Sequence, residues 1–321
     1  MRARRWAYHR GPSSGHPTGE DLRLTGSITA LATPFTTDGE LDLDGWRRLI
    51  AAQLEGGTQA LVVAGSTGEA AALFDAEFDV LLRTAVEQVG GRVPVLAGTG
   101  MSNTVKTMEQ TRRAAVLGAD AALVVTPPYV RPTQDGLVAH FRAVANDGAL
   151  PLVLYNVPGR TGCDLLPETV AALAGHPRII AVKEARNEPD RMAALLTLAG
   201  DGFAVLSGDD PTACRALLAG ADGVVSVASN IIPVAFRMLC DLGRSRDSDA
   251  GELDARLRPV FDFLGVESNP TPVKAILELQ GIGHGLRLPL LPLSAANMAG
   301  LEQVAGDITA IEQSVRATIA T

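Results

Sequence analysis

The sequence has few cysteines, few aromatic residues and almost no lysine, and each shortage excludes something. Its three cysteines, Cys163, Cys214 and Cys240, are scattered and odd in number, which argues against a disulfide framework and fits a reducing cytoplasm. Aromatic residues make up only 4% of the chain, so aliphatic side chains must fill the core. The net charge is −8, with neither a basic stripe nor a long apolar run, so we expect no nucleic-acid partner and no membrane span.

The 321 residues are enough for one large domain and a smaller appendage. Residues 1–23 are basic, rich in glycine, proline and serine, and lack the apolar segment of a secretory signal. We therefore predict a disordered extension on a cytoplasmic protein. Residues 24–246 alternate short apolar runs with amphipathic stretches, which predicts a catalytic strand-and-helix domain. Residues 247–321 show only helical patterns, which predict a C-terminal helical bundle.

Eight short apolar runs bounded by Gly, Pro or Asp predict strands buried on both faces: Ile28–Phe35, Ala60–Gly65, Val93–Gly98, Ala121–Pro127, Leu152–Val157, Ile179–Glu184, Ala204–Ser207 and Gly223–Val227. Helical patterns lie between and after these runs, near Asp75–Val89, Asn103–Leu117, Gln134–Asn146, Asp249–Leu264, Pro272–Leu279 and Ala295–Thr318. Asp75 and Asn103 are candidate N-caps, and Gly118 is a candidate C-cap residue. Eight strand–helix units favour an α/β fold, a closed (β/α)8 TIM barrel. A doubly wound sheet is the alternative, but the first strand is followed by no GxGxxG.

Polar residues follow the predicted strands at the ends that meet at one mouth of a barrel, where barrel enzymes carry their chemistry. Lys183 stands in one of these runs, Ile-Ile-Ala-Val-Lys-Glu-Ala, and is one of only three lysines, with Lys106 and Lys274. Because arginine stays protonated, only lysine can attack a carbonyl and form an iminium. We interpret Lys183 as a covalent nucleophile. A structural pair with Glu184 is the alternative, weakened because neighbouring strand residues point to opposite faces.

Two further residues near this mouth suit the same chemistry. Tyr155 lies near the end of its strand, where its phenol could exchange protons with a lysine-bound substrate if hydroxyls such as that of Thr67 relay them. A core tyrosine with a satisfied hydroxyl is the alternative. Arg160, in the loop Pro158–Gly162, has a planar guanidinium that suits a substrate carboxylate, although a surface ion pair is an equal alternative.

The segment Gly65-Ser66-Thr67-Gly68-Glu69 predicts a small anion-binding turn, with backbone N–H groups available to a carboxylate. It is not a P-loop, since the Lys-Ser/Thr element is missing. Asp209 and Asp210 occupy the usual phosphate position of barrels, which argues against a phosphorylated substrate. The five histidines are dispersed, with no HxH or HExxH spacing, so we expect no metal.

Three motifs give the chain a resemblance to the dihydrodipicolinate synthase / N-acetylneuraminate lyase family: Gly65-Ser-Thr-Gly-Glu69, Tyr155-Asn-Val-Pro-Gly-Arg-Thr-Gly162 and Val182-Lys-Glu-Ala185. The resemblance runs from about Gly26 to the last helix and favours the synthase branch through Leu206–Asp210 and Asn269–Lys274. It implies a TIM-barrel lyase that condenses pyruvate with L-aspartate 4-semialdehyde in the diaminopimelate route to lysine, through a lysine Schiff base. No metal or organic cofactor is implied.

The resemblance also implies a role for each site residue. Lys183 would form the pyruvate imine and Tyr155 would transfer protons. Thr67 would link Tyr155 to Tyr129, which would reach in from a neighbouring subunit of a homotetramer, a dimer of dimers. The amides of Ser66 and Thr67 would hold the pyruvate carboxylate, Arg160 the aldehyde's carboxylate, and the Val225 carbonyl would line the pocket. Serine at 66 departs from most synthases, which carry threonine there, but keeps the hydroxyl.

Alternatives stay open at this point. A sister aldolase would act on sialic acid, a 2-keto-3-deoxy sugar acid or 4-hydroxy-2-oxoglutarate; Arg160 favours a short carboxylated aldehyde instead. A non-catalytic binding or regulatory paralogue is also conceivable, although such a protein should have lost Lys183 or Tyr155. The family's lysine feedback site corresponds here to Ala70, Asp75, Phe78, Ser102, Lys106 and Pro128. Because Lys106 would repel a cationic ligand, we predict little or no inhibition by lysine.

Overall fold

The computed structural model describes residues 22–320. Eight parallel strands close into one barrel in chain order: β1 (Gly26–Ala30), β2 (Ala60–Val63), β3 (Val95–Gly98), β4 (Ala121–Val125), β5 (Leu152–Asn156), β6 (Ile179–Glu184), β7 (Ala204–Ser207) and β8 (Gly223–Ser226). The last strand pairs with the first, from Gly26 opposite Gly223 to Thr29 opposite Ser226. The predicted closed barrel is confirmed, and the doubly wound alternative is wrong.

Twelve helices accompany the strands within the described residues: α1 (Leu43–Glu55), α2 (Asp75–Val89), α3 (Thr104–Val116), α4 (Gln134–Asp147), α5 (Pro158–Thr161), α6 (Pro167–Ala174), α7 (Pro189–Leu196), α8 (Ala213–Ala219), α9 (Pro233–Ser245), α10 (Ala250–Leu264), α11 (Thr271–Leu279) and α12 (Met298–Ala320). The predicted C-terminal helices correspond to α10, α11 and α12, which pack on one another, and α10 and α12 also pack on α9. The division of the chain at residues 246 and 247 stays a prediction. No helix among residues 22–320 is long and apolar enough to cross a bilayer.

The core has two parts, because each strand is buried on both faces. One cluster fills the barrel interior and includes Ile28, Val62, Leu96 and Val153, while the larger one lies between the strands and the surrounding helices. Leu22 and Leu24 also belong to the interior cluster. Leu22 thus falls within the predicted extension; the disorder expected of residues 1–21 lies outside the described residues.

The predicted helix caps are only partly right. Asn103 is the N-cap of α3, where its side chain accepts a hydrogen bond from the Lys106 amide at 3.0 Å. The prediction for Asp75 is wrong: the N-cap of α2 is Phe74, and Asp75 is the first helical residue, with its carboxylate paired to Arg113. An acidic first residue still interacts favourably with the positive end of the helix dipole. Gly118, at φ +92°, follows the observed C-cap Leu117 by one residue.

Candidate active site

Lys183 and Tyr155 lie side by side inside the barrel mouth because their strands pair in register. Tyr155 of β5 stands directly opposite Lys183 of β6. The lysine Nζ lies 4.2 Å from the centroid of the tyrosine ring, and the two residues are only 5% and 6% exposed. The strand pleat therefore places the predicted nucleophile and the predicted proton donor together in a largely dehydrated space.

The structural alternative for Lys183, a pair with Glu184, is wrong. Glu184 projects from the other face of β6, where its carboxylate accepts hydrogen bonds from Arg191 at 2.7 Å and from Asn156 at 3.0 Å. Burial raises the pKa of Glu184, and the hydrogen bond from Arg191 acts against that rise. Within the described part of the chain, Lys183 forms no ion pair. Its amine is thus buried without a carboxylate partner in the described residues.

Gly208, directly after β7, makes room for the lysine side chain. Its amide donates to the Glu184 carbonyl at 2.7 Å, which holds the backbone against β6. A Cβ at this position would lie 2.6 Å from Lys183 Cε and 3.0 Å from Cγ. Such distances are well inside carbon–carbon contact, so only glycine leaves the stem of Lys183 where it is.

The segment Gly65–Glu69, predicted to bind an anion, forms a hydrogen-bonded turn. It closes through the Gly68 amide, which donates to the Gly65 carbonyl at 3.1 Å, and the Glu69 amide, which donates to the Ser66 carbonyl at 3.2 Å. The amides of Ser66 and Thr67 donate to no acceptor among the described residues. Two adjacent backbone N–H groups are therefore available to one carboxylate.

The residues expected to assist Tyr155 and to bind the second carboxylate meet at Asn269. The Asn269 Nδ2 donates to the Thr67 hydroxyl at 3.0 Å, and its backbone carbonyl accepts from Arg160 at 2.8 Å. Thr67 is buried, while Arg160 is exposed in α5, the single helical turn found where a loop was predicted. Within this single chain, no hydrogen bond joins Thr67 to Tyr155 or Tyr129, so the predicted hydroxyl relay stays a prediction.

Tyr129 and Val225 lie apart from this cluster. Tyr129 is 91% exposed, and its backbone is left-handed (φ +74°) and anchored by a 3.0 Å hydrogen bond to the Thr161 carbonyl. Its ring therefore points away from the body of its own chain. Val225 is buried in β8 opposite Ile28. Neither residue lines the cavity beside Tyr155.

A cavity of about 600 Å³ opens next to Tyr155. Its walls include Ser66, Arg160 and Asn269, and also residues 287–290 from the segment before α12. Lys183 does not line the cavity itself, but its amine contacts the ring of Tyr155, which does. Five of the six positions equivalent to the family's feedback site line the same cavity: Ala70, Asp75, Phe78, Ser102 and Pro128.

A buried charge cluster behind the anion-binding turn was missed by the sequence analysis. Lys274 of α11 lies 2.5 Å from Glu69, and both side chains are almost fully buried. The other oxygen of Glu69 accepts from the Arg287 amide at 3.1 Å. Burial lowers the pKa of Lys274, and Glu69 counteracts this effect. The scarcity of lysine, which identified Lys183, also singles out Lys274 within an apolar helix.

Asp210, at the position where many barrels bind a phosphate, instead accepts hydrogen bonds from the turn after β8. One of its carboxylate oxygens accepts from the amides of Val227 at 3.0 Å and Ala228 at 2.7 Å. Burial raises the pKa of Asp210 to about 6, although these hydrogen bonds and Ser226 oppose the rise. Within residues 22–320, no group of His, Cys, Asp and Glu is arranged to hold a metal ion. The three cysteines are buried and unpaired.

Comparison with known proteins agrees with this geometry. The model of the Dihydrodipicolinate synthetase family matches residues 23–309. The chain belongs to this family. It is 66% identical to the 4-hydroxy-tetrahydrodipicolinate synthase of Xanthomonas axonopodis pv. citri, over 91% of this chain and 97% of that one. The enzyme of the same name from Xanthomonas campestris pv. campestris is 65% identical over the same shares.

A solved structure of the family superimposes closely on this one. It is the chloride-inhibited dihydrodipicolinate synthase from Acinetobacter baumannii complexed with pyruvate, which is 40% identical. The TM-score is 0.87, with 89% of this chain and 99% of that chain covered. The TIM-barrel fold inferred from the sequence is therefore shared with a family member.

Proposed function

We propose that this chain is a 4-hydroxy-tetrahydrodipicolinate synthase, a lyase that condenses pyruvate with L-aspartate 4-semialdehyde in the diaminopimelate route to lysine. The observation that carries the proposal is the buried Lys183 amine, free of any acidic partner in the described chain, against the ring of Tyr155. The high identity to synthases of that name favours this substrate pair over those of the sister aldolases.

The chemistry follows from the lysine amine. Lys183 attacks the C2 carbonyl of pyruvate and water leaves; the resulting iminium makes the C3 protons acidic, and loss of one of them to a base, the role given to Tyr155, yields the enamine. The enamine carbon attacks the aldehyde, the substrate's own amino group then attacks the imine carbon, and the bond to Lys183 breaks. Tyr155 is positioned to transfer protons in these steps. Because the protonated imine accepts the electrons, this route requires neither a metal nor an organic cofactor.

Two groups at the mouth suit the two carboxylates. The free amides of Ser66 and Thr67 bind that of pyruvate, and the Arg160 guanidinium binds that of the aldehyde. The support is that Ser66, Arg160 and Tyr155 all line one cavity. The Val225 carbonyl, which does not line the cavity of the single chain, is assigned to the pocket only by the family resemblance.

The proton relay is completed by a second subunit. Tyr129 is 91% exposed and its amide binds the Thr161 carbonyl next to Arg160, so its hydroxyl serves a neighbouring copy and joins Thr67 and Tyr155 there. We infer a homotetramer built as a dimer of dimers, with Tyr129 crossing the tighter interface. The buried, unpaired cysteines fit the reducing cytoplasm, where we place the protein.

The decisive experiment treats the protein with pyruvate and borohydride, which reduces an imine to a stable secondary amine. We expect a mass increase on the peptide that contains Lys183, and none in a Lys183→Arg variant. Turnover is then measured with pyruvate plus aspartate semialdehyde, against cleavage of sialic acid and 2-keto-3-deoxy sugar acids. Activity only with the sugar acids would replace the proposed substrate, and an unmodified Lys183 peptide would contradict catalysis altogether.

A further inference from the structure

The segment that begins α11 contacts both of the groups to which we assign a substrate carboxylate. Asn269 binds the Thr67 hydroxyl through its side chain and Arg160 through its backbone carbonyl, at 3.0 and 2.8 Å. Further along the same segment, Lys274 binds the Glu69 carboxylate at 2.5 Å. One short stretch of chain outside the barrel therefore connects the anion-binding turn with α5, the helical turn after β5.

The ion pair between Lys274 and Glu69 acts on the anion-binding turn through the backbone of Glu69. Glu69 has a left-handed backbone (φ +51°), which a non-glycine residue adopts only when its surroundings hold it there. Its amide donates to the Ser66 carbonyl, so the orientation of Glu69 sets that of the Ser66–Thr67 peptide. Lys274, itself held 4.1 Å from the centroid of the Phe35 ring, thus fixes the direction of the Thr67 amide, which belongs to that peptide.

We propose that Lys274 and Asn269 are positioning residues that fix the pyruvate site relative to the aldehyde site. Lys274 acts through Glu69, and Asn269 acts through Thr67 and Arg160. The inference rests on the proposed function, because it assigns a substrate carboxylate to each of the two groups. Carbon–carbon bond formation needs both substrates in one geometry, and a misplacement of about 1 Å is enough to slow such a step by about 100-fold.

The first test replaces Glu69→Gln and measures borohydride trapping of Lys183 over a series of pyruvate concentrations. The new amide group must face either the Lys274 ammonium or the Arg287 amide, so one of the two hydrogen bonds is lost. We expect the half-saturating pyruvate concentration to rise about tenfold, the effect of losing one hydrogen bond to a charged group. Glu278→Gln, at an exposed position of α11, the helix that contains Lys274, is the matched control and should leave the half-saturating pyruvate concentration unchanged.

The second test uses Asn269→Ala, which removes the contact with Thr67 but keeps the backbone carbonyl that holds Arg160. We expect kcat to fall about tenfold while KM for the aldehyde stays unchanged, because Thr67 serves proton transfer and Arg160 serves binding. A purely structural role would not separate the two constants. Asn269→Asp, whose carboxylate can accept from the Thr67 hydroxyl, should restore part of kcat.

The outcomes separate this inference from the proposed function. Without trapping in the wild-type protein, the proposed function fails. With normal trapping in the wild type and an unchanged half-saturation in Glu69→Gln, only the role of Lys274 and Glu69 is overturned. Should Glu69→Gln not fold, Glu69→Leu combined with Lys274→Met removes both charges together, and unaltered pyruvate saturation in that variant overturns the inference equally.

Discussion

Gly208→Ala provides a sharp test of how the nucleophile is held. The added Cβ would lie 2.6 Å from Lys183 Cε, 3.0 Å from Cγ and 3.3 Å from the Cβ of Ala185. Carbon atoms in contact prefer about 3.5–4.0 Å, so Cε must move by about 1 Å. The backbone of Gly208 is not left-handed, so the substitution acts through this contact rather than through backbone strain.

The displacement should appear in catalysis far more than in folding. Lys183 Nζ lies 4.2 Å from the centroid of the Tyr155 ring, and a shift of the stem separates the amine from the phenol proposed to transfer its protons. A misplacement of about 1 Å at a reacting centre costs about 100-fold in rate. We therefore expect kcat/KM for pyruvate to fall about 100-fold, a change of about 3 kcal/mol in the activation barrier.

The assay is the rate of borohydride trapping with pyruvate, followed by steady-state kinetics with both substrates. Gly202→Ala is the matched control, because Gly202 lies in the turn before the same strand and an added Cβ there meets no atom within 4 Å. The control should behave as the wild type in both measurements. Trapping of Gly208→Ala at the wild-type rate would show that the missing Cβ does not determine the position of Lys183, and this reasoning would be refuted.

Three other predictions concern ligands and pH. L-Lysine should not inhibit: Lys106, expected to repel it, does not line the cavity, but the Asp75 carboxylate that does is paired with Arg113. A submillimolar inhibition constant in the coupled assay would contradict this. Burial lowers the pKa of His140 from 6.5 to about 4. The contribution of His140 to the free energy of unfolding is therefore fully present above pH 6.5, and about 3 kcal/mol of that free energy is lost as the pH falls to 4. In urea unfolding, the His140→Gln variant has no titrating group at this position, so its free energy of unfolding should fall correspondingly less than that of the wild type over the same pH interval. Equal losses in both proteins would exclude His140 as the cause. The raised pKa of Asp210, about 6 against 3.8, has the opposite sign. The stability that Asp210 contributes is therefore lost as the pH rises from 4 to 7. Over that interval the free energy of unfolding of the Asp210→Asn variant should rise by about 3 kcal/mol relative to that of the wild type. A difference that stays constant with pH would contradict this prediction.

The barrel could be predicted from the sequence because each strand is a short apolar run, but the strand ends could not. The first run was predicted to span Ile28–Phe35, whereas β1 comprises Gly26–Ala30. Its start is set by pairing with Gly223 of β8, a contact with a distant part of the chain. Its apparent continuation arises because Leu31 and Phe35 are fully buried in the loop after the strand. Hydrophobicity reports burial, and burial alone does not distinguish a strand from a covered loop.

The site was predictable only where the barrel topology determines it. Residues at the carboxyl ends of β2, β5 and β6 must share one mouth, so the proximity of the anion-binding turn, Tyr155 and Lys183 followed from their positions in the chain. Asn269 and Arg287 come from segments around α11, and no periodicity relates these segments to a particular side of the barrel. Their contacts with Arg160 and Glu69 depend on how the C-terminal helices dock, which only the three-dimensional structure reveals.

The two buried lysines show how environment assigns different roles to one side chain. Both lie against an aromatic ring, Lys183 at 4.2 Å from Tyr155 and Lys274 at 4.1 Å from Phe35. Lys274 has a carboxylate, Glu69, at 2.5 Å, which opposes the lowering of its pKa by burial and engages the amine in an ion pair. Lys183 has no such partner in the described chain, because Arg191 and Asn156 engage Glu184 on the opposite face of β6. Scarcity of lysine thus identifies both positions, but only the placement of the acidic residues shows which amine can attack a carbonyl.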